Sequence, residues 1–599
     1  MPAGSVALIQ LAAYGAESQY LVGNPQMTYF KLVFRRHTNF ALDTREITLT
    51  GPSVLRGDDE IKLKCIIPRN GDLISGLYLL IDIPDIYSGY QQNGSKSLGY
   101  RFQWIKELGT RMIQHVEVSI GGTKVHELWG DWIYLWYQLY SNDTNTLQNL
   151  DEMIGNTQAF YDPANGPGQL GVYPTSTLNS DLNKDPELLT TNLNSDITNP
   201  SFRTASIRGR TLYVPLPLWF CNQSGVSLPL IALQSHQVEV SITLRGLNDL
   251  YTVIDTDMNS ATYGQRVRPT FSSKKRHVHN FLANVPRSGF GSIANGGLCN
   301  YEITGATADS SSGNVMDANP RLLGTYVLLD EPERKRFSAA SHEYLIEQVV
   351  RSEFTGIYGD QLLDLNINHP VKTMTWYAQH EDVCNTNDWS NYTNWRYTSA
   401  PQESGTRFAL AGEGNVRQEM GSVGHQYPPY SLQAYRPANN EVLSKLLPDG
   451  STSIPLSGLW LNTPDQTQQM PYIRYDYPRT EEAILEMTGL LFNGNPRVAL
   501  SPSDYFINMY PHDRRLRYNR RGIYSYAFAL EPRHYQPSGS CNMSRIHSIQ
   551  LSVKTLPQPV TTEDDPITDP TEYTIVVYTV HYNVLRVISG MASVAFENG

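Results

Sequence analysis

The sequence predicts an all-β protein in which one antiparallel unit occurs twice along the chain. The stretch 210–244 holds an apolar run, a polar break at 222–225 and then strict apolar alternation. This pattern is typical of a strand, a loop and a half-buried strand. The stretch 522–553 has the same shape, with its break at Ser538-Gly539. The composition agrees, because 37 Tyr, 36 Pro and 44 Gly favour strands and turns over helices.

The first half begins with small and amide residues and then becomes strand-like. A hairpin is predicted around Gly121-Gly122, a short amphipathic helix near 102–112, and an aromatic helix at 127–140. Residues 141–209 are polar and are read as an extended loop. Beyond the strands of 210–244, strands are predicted at 29–34, 61–67, 73–84, 115–120, 123–128 and 324–330.

The second half repeats these landmarks in the same order. A charged helix at 331–341 joins the halves, and a helix at 502–510 corresponds to the aromatic helix. Two strands are expected within 522–553, and others are predicted at 343–350, 362–368, 371–379, 483–492, 497–500 and 574–585. The predicted fold is therefore two tandem eight-stranded antiparallel jelly rolls with short helices and long inserted loops.

The chain of 599 residues is too long for one ordinary core, which agrees with two domains. We expect an N-terminal arm at 1–28, a first jelly roll at 29–335 and a second at 336–599. The long loops are assigned to 85–112, 141–209 and 245–322 in the first half and to 380–483 in the second. Loops of this length are usually functional or interaction surfaces.

Charge and cysteine content exclude several classes of protein. The net charge of −11 argues against a general nucleic-acid binder, whose affinity depends on Lys and Arg. The cysteines are widely spaced and never form a C-x-x-C pair, so we expect reduced, mostly buried thiols rather than disulfides or a zinc site. The N-terminus lacks a positive n-region, and no apolar run reaches the length of a membrane span, so neither a signal peptide nor a transmembrane helix is expected.

Catalytic and metal-binding motifs are weak. The pairs His126-Glu127 and His342-Glu343 lack the second histidine of a zinc-protease helix. The stretch 255–266 begins like a calcium loop but has Ser260 where glycine is needed and Arg266 at the twelfth position. His277 and His279 have no Cys or carboxylate near them in sequence. No catalytic, cofactor-binding or metal-binding residue is therefore assigned, and no cofactor is expected.

Basic residues cluster at 274–276, at 334–336 and between Arg514 and Arg521. Contact with nucleic acid or another anionic partner is one interpretation. Solvated loops and salt bridges are the favoured one, because 58 acidic residues are available as partners.

Five segments carry a resemblance to a known family. One is PLPLWFCNQSGVSLPLIALQSHQVEV at 215–240, and another is LLDEPERKRFSAASHEYLIEQ at 328–348. The others are at 8–41, 536–546 and 583–596. Together they resemble the major capsid protein of nucleocytoplasmic large double-stranded DNA viruses, from end to end but least in the long loops.

The resemblance implies a structural protein and not an enzyme. It implies a double jelly roll that forms a homotrimeric capsomer of pseudo-hexagonal outline, and an icosahedral shell tiled by such capsomers. The implied partners are further copies of the chain, minor capsid and penton proteins, and the inner viral membrane through the N-terminal arm, without direct nucleic-acid contact. The location would be the virion, after synthesis in the host cytoplasm. Loops at 85–112, 141–209 and 380–483 would build outward towers. Cys221 and Cys541 would then be packing residues.

Two other functions remain open at this level. A carbohydrate-binding or glycan-active β protein would fit the aromatic loops, with Trp389 and Trp395 as candidate binding residues. An enzyme using His277, His279 and nearby acids is the third hypothesis.

Overall fold

The computed structural model is built mainly of antiparallel strands. It describes residues 5–86, 92–93, 96–97, 102–141, 144–165, 173–174, 205–254, 266–269, 315–381, 383–394, 483–517, 522–556 and 572–596.

Eight main strands of the first half form two facing sheets in the described residues, which we call the first barrel. In chain order they are β1 (Phe40–Thr48), β2 (Ile61–Ile66), β3 (Leu73–Ile83), β4 (Ile113–Ile120), β5 (Thr123–Trp129), β6 (Arg210–Pro215), β7 (Val238–Leu244) and β8 (Arg321–Leu329). One sheet has the order β1-β8-β3-β6 and the other β2-β7-β4-β5. The first strand therefore pairs with the last, as in a jelly roll.

The second half forms two further sheets, which we call the second barrel. Its main described strands are β9 (His342–Ile357), β10 (Asp360–Asp364), β11 (Pro370–His380), β12 (Leu485–Phe492), β13 (Asn495–Pro502), β14 (Ile523–Ala527), β15 (Ile549–Thr555) and β16 (Tyr573–Ile588). Their orders are β9-β16-β11-β14 and β10-β15-β12-β13. Each position matches its counterpart in the first barrel, so the duplication predicted from the sequence is confirmed.

Helices are short and lie between strands. They are α1 (Ser5–Ala12), α2 (Gln19–Val22), α3 (Leu108–Met112), α4 (Gly130–Tyr140), α5 (Thr144–Ile154), α6 (Gln158–Tyr161), α7 (Glu331–Ala339), α8 (Val383–Thr386) and α9 (Tyr510–Asp513). Minor strands are Val54–Arg56, Gln92–Asn93, Lys96–Ser97, Gln103–Trp104, Leu228–Pro229, Tyr251–Ile254, Arg266–Val267, Val315–Asp317, Cys541–Asn542 and Met591–Val594. No described helix is both long and apolar enough to cross a bilayer.

Buried and exposed residues alternate along the strands as the sequence predicts. In β2, Ile61, Leu63 and Cys65 are buried while Lys62 and Lys64 between them are exposed. Side chains point alternately to the two faces of a strand, so one face enters the core and the other meets solvent.

Three predicted elements differ in the structure. The strand predicted at 29–34 is wrong, because these residues are exposed and pair with no described strand. The loop predicted at 141–209 contains α5, which forms because Leu150 and Ile154 can be buried against the first barrel. The aromatic helix starts only at Gly130, because the preceding residues pair in β5.

The second-half helix also has a different form. A π-helical turn, Tyr505–Met509, precedes α9. Pro511 stands near the start of α9, where its missing N–H is tolerated.

The inner strands of one sheet of the second barrel, β11 and β16, are buried on both faces. In β16, every residue from Ile575 to Asn583 is buried. Ile575 and Val577 belong to the second-barrel core, whereas Val576 and Tyr578 pack in a cluster with the first barrel. The sheet β9-β16-β11-β14 is therefore both the wall of one core and the surface on which the other barrel rests.

Candidate functional site: the interface between the barrels

Helix α4 of the first barrel packs against β16 of the second. The rings of Trp132 and Tyr578 have centroids 4.9 Å apart, and Trp132 is fully buried. Helix α4 can begin where it does because residue 130 is glycine. A Cβ there would lie 2.1 Å from the carbonyl oxygen of Ile113 and 2.2 Å from that of Thr110, closer than real contacts allow. The glycine thus lets the helix sit directly on β4 and α3.

A buried carboxylate lies at the centre of this interface. The hydroxyl of Tyr578 donates to Asp131 Oδ2 at 2.7 Å, and the hydroxyl of Tyr377 donates to the same oxygen. Burial by itself raises the pKa of Asp131. The charges of Arg111 and Arg351, with the two tyrosine hydrogen bonds, outweigh burial and lower the pKa below its usual value. Asp131 is therefore held as a buried anion between the barrels.

The matching cation is Arg111 on α3. Its guanidinium lies 3.1 Å from Glu107 Oε2 and donates to the hydroxyl of Tyr392 from the second half. Burial opposes its charge, but Tyr392, Glu107 and Asp131 raise its pKa well above the ordinary value. We call Arg111, Asp131, Tyr377, Tyr392 and Tyr578 the inter-barrel core. Removing one partner of such a buried set leaves a charge without compensation, so the set fixes one relative placement of the barrels.

A second polar joint lies beside α8. The amide of Asn387 donates to the carbonyl oxygens of Asn248 at 2.7 Å and Tyr251 at 2.8 Å. The indole N–H of Trp389 donates to the carbonyl oxygen of Asp249 at 3.0 Å, and Arg245 lies 4.9 Å above its ring. Trp389 is therefore used in holding the halves together, and one ring face is covered by a cation rather than open to a sugar.

Three histidines, which we call the histidine cluster, lie at another part of the interface: His126 on β5, His369 just before β11 and His581 on β16. Burial lowers the pKa of His126 to about 3 and that of His581 to about 4, with a further contribution from a neighbouring histidine in each case. Neither ring nitrogen of His126 has a hydrogen-bond partner in the described part of the chain. The rings of His369 and His581 stack with centroids 5.0 Å apart.

Gln348 connects this cluster to the first barrel. Its amide donates to the carbonyl oxygen of Val125, and its oxygen accepts from His581 Nε2 at 3.1 Å and from Asn583 at 2.8 Å. A neutral His581 satisfies this arrangement. Protonating His126 would place a buried cation whose ring nitrogens have no hydrogen-bond acceptor in the described part of the chain.

Among the described cysteines Cys65 is buried and Cys384 is exposed, so the expectation of mostly buried thiols holds only in part. Cys221 and Cys541 are half-buried, and burial raises the pKa of Cys221 to about 12 and that of Cys541 above its ordinary value. A thiol with a raised pKa is a poor nucleophile at neutral pH. This supports their interpretation as packing residues.

Two of the three basic residues at 334–336 have acidic neighbours within the chain. Arg334 lies 3.0 Å from Asp72, and Lys335 lies 2.7 Å from Glu331. These pairs support the salt-bridge interpretation of the cluster at 334–336. The cluster at 274–276 lies outside the described residues.

The described residues contain no group of three or more His, Cys, Asp or Glu side chains that could hold a metal ion. His126 is buried in the interface, whereas Glu127 pairs with Lys124 at 2.7 Å. The candidate stretch 255–266 is described only at Arg266, and His277, His279 and Trp395 lie outside the described residues.

Sequence reasoning did not identify the inter-barrel core. One signal was present, since Asp131 is a lone carboxylate within an otherwise aromatic and apolar helix. A charge at such a position is rarely buried unless it has partners. The partners come from 377, 392 and 578, which no local pattern connects to it.

Comparison with known proteins agrees with this architecture. A family model for the N-terminus of the major capsid protein matches residues 28–282, and a model for the major capsid protein of large eukaryotic DNA viruses matches residues 333–593. The two models follow one another along the chain, one on each barrel. The chain belongs to the major capsid protein family of large eukaryotic DNA viruses.

Individual relatives support the assignment over the full length. The major capsid protein of Phaeocystis pouchetii virus is 29% identical, with 99% of each chain covered. That of Paramecium bursaria Chlorella virus 1 is 27% identical over 99% of each chain. The family is one of structural virion proteins, so this chain is a capsid protein of the virion shell and not an enzyme.

Solved structures show the same fold. PBCV-1 VP54 matches with a TM-score of 0.54 and 22% identity, covering 95% of this chain and all of that one. The Faustovirus major capsid protein matches with a TM-score of 0.52 and 9% identity, covering 97% and 96%. The double jelly roll predicted from the sequence is thereby confirmed. As a capsid protein, the chain assembles with other capsid subunits.

Proposed function

We propose that this capsid protein forms a homotrimer of pseudo-hexagonal outline that tiles an icosahedral shell. The observation that carries the proposal is the pair of barrels with one strand order, joined through a buried interface. Three such chains around one axis present six similar barrels, which matches a hexagonal lattice while keeping threefold symmetry. The inter-barrel core then has a defined task, because it sets the angle between neighbouring barrels of the hexagon.

The division of the chain follows from this role. We propose an arm at 1–28, a first jelly roll at 29–335 and a second at 336–599. The boundary falls within α7, whose start is capped by Asp330 accepting from the N–H of Glu331 at 2.8 Å. The long loops at 85–112, 141–209 and 380–483 are proposed as the outward towers of the capsomer, apart from α3 and the buried face of α5, which pack in the core.

The arm is proposed as the contact with minor capsid and penton proteins and with the inner viral membrane. Its apolar side chains support this, because Leu11, Tyr20 and Leu21 are 79%, 93% and 89% exposed. Apolar side chains gathered in one exposed segment mark an interaction surface. The chain's net charge of −11 argues against direct nucleic-acid contact. Synthesis in the host cytoplasm remains part of the proposal.

The first test is the mass of the purified full chain in solution. We expect a stable species of about 200 kDa, three times the 67.4 kDa chain, by analytical ultracentrifugation, and hexagonal arrays by electron microscopy. A monodisperse monomer at micromolar concentration, with no higher assembly at any salt concentration, would refute the trimer.

A further inference from the structure

Equivalent edges of the two barrels are covered differently. The outer edge of β2 is covered by its own chain, since the N–H of Thr50 donates to the carbonyl oxygen of Lys64 at 2.7 Å and the N–H of Lys64 donates back at 2.9 Å. The counterpart β10 pairs with β15 on one side only, within the described residues. The reason lies in the connection: residues 49–60 separate β1 from β2, but only Tyr358 and Gly359 separate β9 from β10.

The bare edge of β10 has a distinct chemistry. Asp360, Leu362 and Asp364 are exposed, with Leu362 at 55%. Neither carboxylate forms a direct ion pair in the described chain. Asp360 stands opposite Lys554, which pairs with Glu486. Asp364 accepts from the amide of Gln550 at 2.8 Å. An open strand edge offers unpaired backbone N–H and C=O groups to another chain. Here the edge presents one apolar side chain flanked by two negative charges.

A segment just after the arm, before β1, has the complementary pattern. Residues 31–35, KLVFR, place Leu32, Val33 and Phe34 between two cations, and these three side chains are 76%, 78% and 82% exposed. No backbone hydrogen bond links residues 31–39 to another described part of the chain. The sequence has strand character here, yet the segment has no strand partner within its own described chain. Exposed apolar side chains and unpaired backbone groups together favour strand addition.

We propose that residues 31–35 of one chain add as an antiparallel strand to β10 of a second copy. Lys31 and Arg35 are four residues apart, as are Asp364 and Asp360, so both charge pairs form in one register. Val33 then lies opposite Leu362. Cross-strand pairs of opposite charge and of apolar side chains stabilise a sheet. The register places Leu32 and Phe34 on the core-facing side of the sheet, beyond the buried Leu363.

The occupant is a second copy because, within one chain, residues 31–35 and the edge of β10 are both described and do not pair with each other. The four residues between Arg35 and Phe40 keep the segment within about 17 Å of the start of β1 in the first barrel, whereas β10 belongs to the second barrel. Neighbouring copies in the shell supply the edge instead. This inference rests on the proposed assembly of several copies.

Cross-linking tests the register directly. Val33→Cys and Leu362→Cys are made in separate full-length chains that also carry Cys384→Ser, which removes an exposed thiol. The chains are mixed, assembled and oxidised, and we expect a two-chain disulfide band on a non-reducing gel. Pairing Val33→Cys with Leu42→Cys on β1 is the matched control, since Leu42 is 62% exposed on another strand at a sheet edge. That pair is expected to give no band.

Charge exchange tests the ion pairs. Asp360→Lys with Asp364→Lys should lower the cross-linking yield about tenfold, because like charges then face each other. Adding Lys31→Asp and Arg35→Asp in the 31–35 segment should restore it. Restoration separates a lost contact from a misfolded chain.

Several results would overturn the inference. One is a band from Val33→Cys with Leu42→Cys but none from Val33→Cys with Leu362→Cys. Another is a disulfide within one chain that carries both Val33→Cys and Leu362→Cys. The third is the absence of any band in assembled protein. Sedimentation of the same mixtures distinguishes the two proposals. Capsomers without the cross-link would refute only the strand addition, whereas the absence of capsomers would refute the trimer.

Discussion

The two barrels share one strand order but differ in what covers their sheets. In the first barrel the counterpart of β16 is β8, which is buried only at alternate positions between Arg321 and Tyr326. In the second barrel β16 is buried on both faces between Ile575 and Asn583. The difference arises because α4 of the first barrel rests on the second-barrel sheet. Because one barrel packs on the other, equivalent sheets of the two barrels differ in how many of their faces are buried.

The edges differ in the same way. Thr50 covers β2, whereas the short connection before β10 leaves that edge open in the described chain. An open strand edge can cause an isolated protein to aggregate, whereas in an assembly it can pair with a strand of another subunit. Helix α4 of the first barrel therefore joins the two barrels within one chain, whereas the edge of β10 in the second barrel is the proposed pairing site for a neighbouring copy.

The largest expected effect comes from breaking the inter-barrel core. Asp131→Ala removes the acceptor of two tyrosine hydroxyls and one of the two buried carboxylates that stabilise the charge of Arg111, so that only Glu107 remains. We expect the free energy of unfolding to fall by about 3–5 kcal/mol, measured by chemical denaturation. Asp43→Ala is the matched control on the exposed strand β1, where the ion pair with Arg45 is worth about 1 kcal/mol or less. Equal losses in the two variants would contradict the central place of Asp131.

The second-largest effect is expected from acidification, which should lower the free energy of unfolding through the histidine cluster. The folded pKa values of about 3 for His126 and about 4 for His581 lie below the ordinary value of 6.5. The unfolded chain therefore binds protons first, so this contribution to stability is complete above pH 6.5 and is lost as the pH falls towards 4 and 3. At pH 5 the loss is about 2 kcal/mol per histidine.

The measurement is the free energy of unfolding at pH 7.5 and at pH 5. His126→Phe, which cannot be protonated, should show a smaller difference between the two pH values than the parent chain. His512→Phe is the control, because this histidine is exposed on α9. An unchanged pH dependence in His126→Phe would rule out its part in the acid response.

The smallest expected effect comes from uncovering β2. Thr50→Pro removes the N–H that donates to Lys64 and makes the edge resemble that of β10. We expect a loss of about 1 kcal/mol in the free energy of unfolding. Thr50→Ala keeps the N–H and should change it by less than about 0.5 kcal/mol. Identical values for the two variants would show that the backbone bond does not stabilise this edge.

Local sequence patterns predicted most of the strands. Alternation in β2, β7 and β15 marks a half-buried strand whatever lies around it, and these strands are observed. The strand at 29–34 was wrong for a different reason. Its residues have strand character, but a strand also needs an edge to pair with, and the described chain offers none to it.

The sequence by itself determined the strand units, their repetition and the order of landmarks, because period-two alternation and turn residues act over a few neighbouring positions. Only the tertiary structure decided which faces and edges are covered. Asp131 became a structural centre because Tyr377 and Tyr578 reach it from the other barrel. Such contacts join residues hundreds of positions apart, and burial, hydrogen bonding and pKa follow from those neighbours rather than from the local pattern.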